Sequence, residues 1–324
     1  MHKRNLFALS SLVSLSIGVS FNSSPAHAWG HEGHQKLAEV ATTLTTAGHT
    51  FWTNNTANVG ILTNVPDVVW KSLPTAAQEK PTHFFQPDSY INDPSQFNLF
   101  PRDYSKAVAQ YTAAALNQTG TATWRAKQLY DLAVASFKSG DMVQGLQYAG
   151  TMCHYIGDLS QPLHVAKNYD GQETGDKGIH AFFETANIQA SDASQLVADI
   201  TAGGSALQND STFRSQSSGS ILDAVFNEVN RSYSLKDTVI GNDLKLGRSG
   251  AGSSTQLALA KSRMSDGAAT LAIVLSKLWA DAGNPTSTAQ VTIDSKPAWV
   301  SPDYAGSVKG MLMATQMVVE DDCQ

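Results

Sequence analysis

Two histidine–acid pairs lie close together in the middle of this chain, His154 with Asp158 and His180 with Glu184, each four residues apart. On a helix that spacing puts both side chains on one face. His164 falls between the pairs, just past Pro162, which starts a new turn. The neighbours Tyr155, Ile156, Leu159, Leu163, Val165, Phe182 and Phe183 are apolar or aromatic, so the segment is expected to be buried. Ionisable groups among core residues are costly unless they are paired or coordinated. Imidazole and carboxylate donors without thiolate suit zinc, and open coordination positions would make such a site catalytic. The alternative use of these residues is a hydrogen-bonded histidine–acid network inside a helical core.

Bringing these groups together requires helices packed side by side, and apolar residues recur at helical spacing through most of the chain. Leu37, Val40, Ala41 and Leu44 form one stripe. The spacing predicts helices over 33–44, 103–116, 123–137 and 141–156, the last capped by Asp141 after Gly140. Later helices are predicted over 190–200, 220–233 and 255–279, with loops rich in Gly, Ser, Asn and Asp over 168–178 and 202–219. Few stretches alternate with the period of a strand, and no internal repeat is present. The predicted class is all-α, a multi-helix bundle with ligands projecting into its core.

The first residues resemble an export signal. Lys3 and Arg4 precede an uncharged run over 6–20, and Ser24-Pro-Ala-His-Ala28 ends in an Ala-x-Ala pattern. The run is short for a membrane anchor, so residues 1–28 are expected to be removed, which makes Trp29 the new amino terminus. Residues 29–284 are then expected to form one helical catalytic domain, followed by a tail over 285–324. No later segment reads as a membrane span, because the strongest apolar run, 268–280, contains Lys277. The 22 basic residues face 28 acidic ones, a net charge of −6. No basic run marks a surface that tracks nucleic-acid phosphates. Bound zinc would add local positive charge that a residue count misses. The two cysteines, Cys153 and Cys323, leave two readings open: a disulfide tying the tail to the core, or a small buried apolar residue at Cys153.

Three motifs carry a resemblance: Thr82-His-Phe-Phe-Gln-Pro-Asp88, the stretch from His154 to His164 that reads His-Tyr-Ile-Gly-Asp-Leu-Ser-Gln-Pro-Leu-His, and Gly178-Ile-His-Ala-Phe-Phe-Glu184. They resemble the bacterial zinc-dependent phospholipase C family, which shares its helical fold and three-zinc site with fungal-type single-strand-specific nucleases. Residues 126–155 and the ending Leu278-Trp279-Ala-Asp281 are similar to that family's helices as well. The resemblance implies one zinc held by Asp67, His83, His154 and Asp158. A second would be held by His164, His180 and Glu184. A third would be held by the free amine and carbonyl of Trp29, with His34 and a bridging Asp158. Of the histidines after residue 28, only His31 and His49 are then left over. The opening Trp29-Gly-His-Glu-Gly-His34 resembles the nucleases, whereas Glu184 at the second site resembles the phospholipases. Val65-Pro-Asp67 replaces the nuclease Trp-Ala-Asp, and no counterpart of the choline-holding residues is visible.

The function this implies is a secreted phosphodiester hydrolase, with Asp67 orienting or deprotonating the attacking water and Asp158 setting the separation of two ions. Phospholipase C action on glycerophospholipids at a membrane or micelle surface is the leading expectation, with the protein acting as a monomer. A zinc nuclease with 3′-nucleotidase activity, which would make nucleic acid the substrate, is the second. A zinc-binding protein without catalysis is the third. Before cleavage the nitrogen of Trp29 is an amide, so the precursor is expected to lack the third zinc. Phe84, Phe85 and Tyr90 are expected to be core rather than a lipid or base pocket. No C-terminal lipid-binding module is expected.

Overall fold

The computed structural model describes residues 29–293 and Ser301. The proposed signal segment, its cleavage site and Cys323 lie outside the described residues. Among the described residues there are helices and turns and no strands. The fold is all-α, and among the described residues no helix is long and apolar enough to cross a membrane.

Helix α1 (Gly30–Thr43) starts directly after Trp29 and buries the stripe of Leu37, Ala38, Val40 and Ala41. Short helices follow, including α2 (Thr56–Leu62) and a single turn, Val65–Val68, that carries Asp67. The centre is a helical hairpin, α3 (Ala122–Lys138) and α4 (Met142–Ser160). It turns at Gly140, whose φ of 85° is left-handed backbone that glycine adopts without strain. As predicted, Asp141 caps α4, its carboxylate accepting from the Gln144 amide at 3.0 Å. Every residue from Ala149 to Ser160 is buried, so α4 is enclosed on all sides. Its close packing depends on missing side chains. A Cβ at Gly150 would meet Leu62 at 2.5 Å, and one at Gly145 would meet Phe137 at 2.6 Å.

The second half wraps this hairpin with α5 (Ala193–Asn209), α6 (Ile221–Tyr233), α7 (Lys236–Leu246) and the long α8 (Ala251–Asp281). A buried ionic network joins α6 and α8 to the end of α4. Arg263 donates to Glu228 at 2.7 Å, to Asp266 at 2.8 Å and to the Ser160 carbonyl at 3.0 Å. Burial and the adjacent Asp266 push the Glu228 carboxyl upward.

Several predicted boundaries need correction. The helix expected over 103–116 breaks at Thr112, whose φ is 72°, into Tyr104–Tyr111 and Ala113–Thr119. The loop expected over 202–219 is mostly helical, because α5 continues to Asn209 and Asp210 then caps Ser211–Ser217. Polar composition there reflects exposed helix faces, with Gly204, Phe213 and Ser217 turned inward. Helix α7 was not anticipated. The described part of the tail is strapped against the Asn54–Asn58 corner. Asn54, Asn55 and Asn58 donate to the carbonyls of Thr288, Ala289 and Val291 at 2.7, 3.1 and 2.7 Å.

Candidate metal centre

The last two turns of α4 present His154 and Asp158 to one side, both fully buried. The carbonyl of Thr63, just after α2, accepts from Nδ1 of His154 at 2.8 Å. A carbonyl can only accept, so the His154 proton sits on Nδ1 and the Nε2 lone pair faces inward. His164 and His180 are fixed in the same way, through the carbonyls of His83 at 2.6 Å and Tyr169 at 2.9 Å. His164 rides on the one-turn helix Pro162–Val165. His180 sits in a short helix, Ile179–Ala181, that passes into a π-turn, Phe182–Ala186, which carries Glu184. Such π-turns recur at functional sites.

These elements bring the sequence-predicted residues into two adjoining groups. In the first, Asp158 is 3.1 Å from Nε2 of His34, 3.2 Å from Nδ1 of His83 and 3.4 Å from Nε2 of His154. Asp67 lies 3.6 Å from both His83 and His154. His34 stacks on His154 with ring centroids 4.1 Å apart, and its ligand atom lies within 4.8 Å of those of Asp67 and His154. The side chains assigned by resemblance to a first and a third ion therefore form one continuous cluster. In the second group, Nε2 of His180 lies 2.9 Å from Glu184, and Nε2 of His164 lies 3.4 Å from it. The indole of Trp29 is buried against α4, with Nε1 donating to the Gly157 carbonyl and to Ser160 Oγ, both at 2.9 Å. His31 is exposed and lies outside both groups. Phe85 is fully buried among Phe100, Trp124 and Phe226, as expected of a core residue.

The donor set fits metal ions. Nε2 of His164 and Nε2 of His180 are 3.1 Å apart, and with both protons committed to Nδ1 these are two lone pairs facing each other beside a carboxylate. Nε2 of His154 and Nδ1 of His83 are 2.9 Å apart. Only a shared proton or a cation makes such approaches favourable. Enclosed atoms Nδ1 of His34 and Oε1 of Glu184 also have no hydrogen-bond partner among the described residues. Electrostatics agree. Burial opposes ionisation of Glu184, yet His180 and His164 hold its carboxyl down to about 2. Burial likewise opposes ionisation of Asp158, and its three histidine neighbours overcome that and lower it. Burial drops His154 to about 3, which keeps its ring neutral, the form in which imidazole binds metal.

Sequence reasoning missed four residues around these groups. The Lys71 ammonium lies 2.6 Å from Asp67, one helical turn along. Gln161 donates to Glu184 at 2.9 Å while its own oxygen accepts from the Leu163 amide. Glu79 and Arg125 stand buried behind His83. Lys71 and Glu79 each sit four residues from a predicted ligand, and that spacing was the available signal.

No protein-family model matches the chain. It is 37% identical over 94 residues to a probable serine protease of Bradyrhizobium tropiciagri, covering 24% of this chain and 12% of that protein. Among solved structures it is similar to the alpha toxin of Clostridium absonum, with a TM-score of 0.45 and 14% identity over 76% of this chain and 65% of the toxin. The chain thus spans a small part of the curated relatives it matches and less than two thirds of that toxin. In sequence it resembles a bacterial phospholipase C, that of Bacillus cereus, at 32% identity over 77 residues, 24% of this chain and 25% of that enzyme.

Proposed function

We propose that this protein is a secreted zinc-dependent phosphodiester hydrolase of the phospholipase C type, which splits glycerophospholipids into diacylglycerol and a phosphorylated headgroup. The observation that carries this reading is the facing of bare imidazole nitrogens across Asp158 and Glu184, a donor set of nitrogen and oxygen suited to zinc. The similarity to the Bacillus cereus enzyme supports phospholipid over other diesters. Val68, beside Asp67 and 54% exposed, supplies apolar surface next to the site.

In this reading Asp67, His34, His83, His154 and Asp158 hold two ions together with the amine and carbonyl of Trp29, and His164, His180 and Glu184 hold a third. Zinc bound there would lower the pKa of water and neutralise charge on a phosphoryl oxygen. Asp67 orients the attacking water and accepts its proton. Lys71, paired with Asp67, adds positive charge where a phosphate diester would lie. Asp158 ties the His34 side of the cluster to the His83 side. Residues 1–28 act as a cleaved leader, 29–284 as the catalytic unit, and the mature protein works as a monomer at a lipid surface.

The nuclease reading retains one observation, the opening Trp29-Gly-x-x-Gly-His34 with its short step from indole to imidazole. One comparison separates the two: zinc-loaded chain beginning at Trp29, assayed on phosphatidylcholine and on single-stranded DNA, with a chelated control. Diacylglycerol release that the chelator abolishes is expected. Cleavage of DNA without lipid turnover would replace the phospholipase reading with the nuclease one.

A further inference from the structure

Glu79 belongs to none of the ligand sets, yet its carboxylate is fully buried directly behind the metal centre. Its Oε1 is 3.3 Å from Nε2 of His83, while Nδ1 of the same ring points the other way, towards Asp158. Among the described residues the carboxylate accepts from the Thr82 hydroxyl at 3.1 Å, from the Tyr155 phenol, and from Arg125, which reaches Oε2 at 3.5 Å. Arg125 is buried too. It donates to Gln128 Oε1 at 2.5 Å and to Ser301 Oγ at 2.6 Å. Ser301 thus stands at the outer end of a buried chain that runs Ser301, Arg125, Glu79, His83.

His83 is oriented differently from the other ligand histidines. His154, His164 and His180 each give the Nδ1 proton to a backbone carbonyl and face inward with Nε2. His83 faces inward with Nδ1, which lies 2.9 Å from His154 Nε2 and 3.2 Å from Asp158. At its outer nitrogen the Glu79 carboxylate, 3.3 Å away, stands in that place. A carboxylate held by donors can only accept, so a proton on the outer nitrogen of His83 is favoured and the inner nitrogen is left bare.

We propose that Glu79, clamped by Arg125 and the tail residue Ser301, is the positioning residue that fixes His83 in the Nε2–H tautomer and so aims Nδ1 at the metal. This rests on reading the site as a metal centre. The test loads the chain beginning at Trp29 with a spin-active cadmium isotope and reads metal–nitrogen couplings by NMR. Coupling through Nδ1 of His83 and through Nε2 of His154, His164 and His180 is expected. In Glu79→Gln, chelator competition should show about 10- to 100-fold weaker binding at the ions His83 serves. The ion held by His180 and Glu184 should compete as in the parent. Coupling through Nε2 of His83, or an unchanged competition curve in a folded Glu79→Gln, overturns the proposal. Coupling to none of the four rings removes the metal reading itself, and the proposal with it. Should Glu79→Gln not fold, the couplings in the unaltered chain decide alone.

Discussion

The imidazole of His34 lies so close to Gly157 that a Cβ on that residue would sit 2.9 Å from its Nδ1 and 3.1 Å from its Cε1. The bare backbone of α4 lets α1 press a ring against it, stack that ring on His154 and bring Nε2 to 3.1 Å from Asp158. The Gly157 carbonyl also accepts from Trp29, so one glycine seats both amino-terminal members of the proposed site.

Gly157→Ala should therefore push His34 out of register. A stability loss of about 1–3 kcal/mol is expected from overpacking, together with loss of zinc from the His34 side. Calorimetry and metal analysis of the purified variant check both. A variant with parental melting and full zinc would show that the ring is not confined there.

Asp158→Asn removes the carboxylate that touches His34, His83 and His154 together. Metal and activity should fall together, by more than the ~10–100-fold that loss of an outer partner costs. Full zinc content with ordinary turnover would exclude Asp158 as a bridging ligand.

Without metal, the second group should make stability depend on pH at both ends. The Glu184 carboxyl is held at about 2 against an ordinary 4.5, so its contribution is complete above pH 4.5 and disappears as pH falls from there to about 2. That drop corresponds to about 3 kcal/mol at 1.36 kcal/mol per pH unit. His180 is shifted the other way: burial lowers it, but Glu184 outweighs burial and raises it above 6.5. Its contribution is complete below 6.5 and is lost as pH rises through the raised value. Urea unfolding in excess chelator should thus give greatest stability between pH 4.5 and 6.5, and Glu184→Gln should flatten both flanks. Parental flanks in Glu184→Gln would refute the pairing.

Cys153 is buried in α4 and donates to the Ala149 carbonyl, and burial pushes its thiol up to about 12. In a Cys323→Ser chain it should resist alkylation at pH 8 until the protein is unfolded. Rapid labelling of the native variant would show that the core around α4 opens.

Spacing alone singled out both histidine–acid pairs. His154 with Asp158 and His180 with Glu184 stand one helical turn apart, and local geometry fixes which side chains of one helix share a face. The same logic named the Asp141 cap and most long helices, since burial of a stripe depends on neighbours a few residues away. Lys71 and Glu79 stood at the same spacing from Asp67 and His83, but nothing in a one-dimensional pattern says whether a charge at that distance is solvated or buried. Thr112, where one predicted helix breaks in two, gave no local sign. Only the tertiary structure decided that the Thr63, His83 and Tyr169 carbonyls set three tautomers, and that Glu79 and Ser301 stand behind a fourth ring. The contacts made by Thr63, by the His83 carbonyl and by Ser301 join segments far apart in the chain, and their directions depend on how the helices cross, which hydrophobic periodicity leaves undetermined.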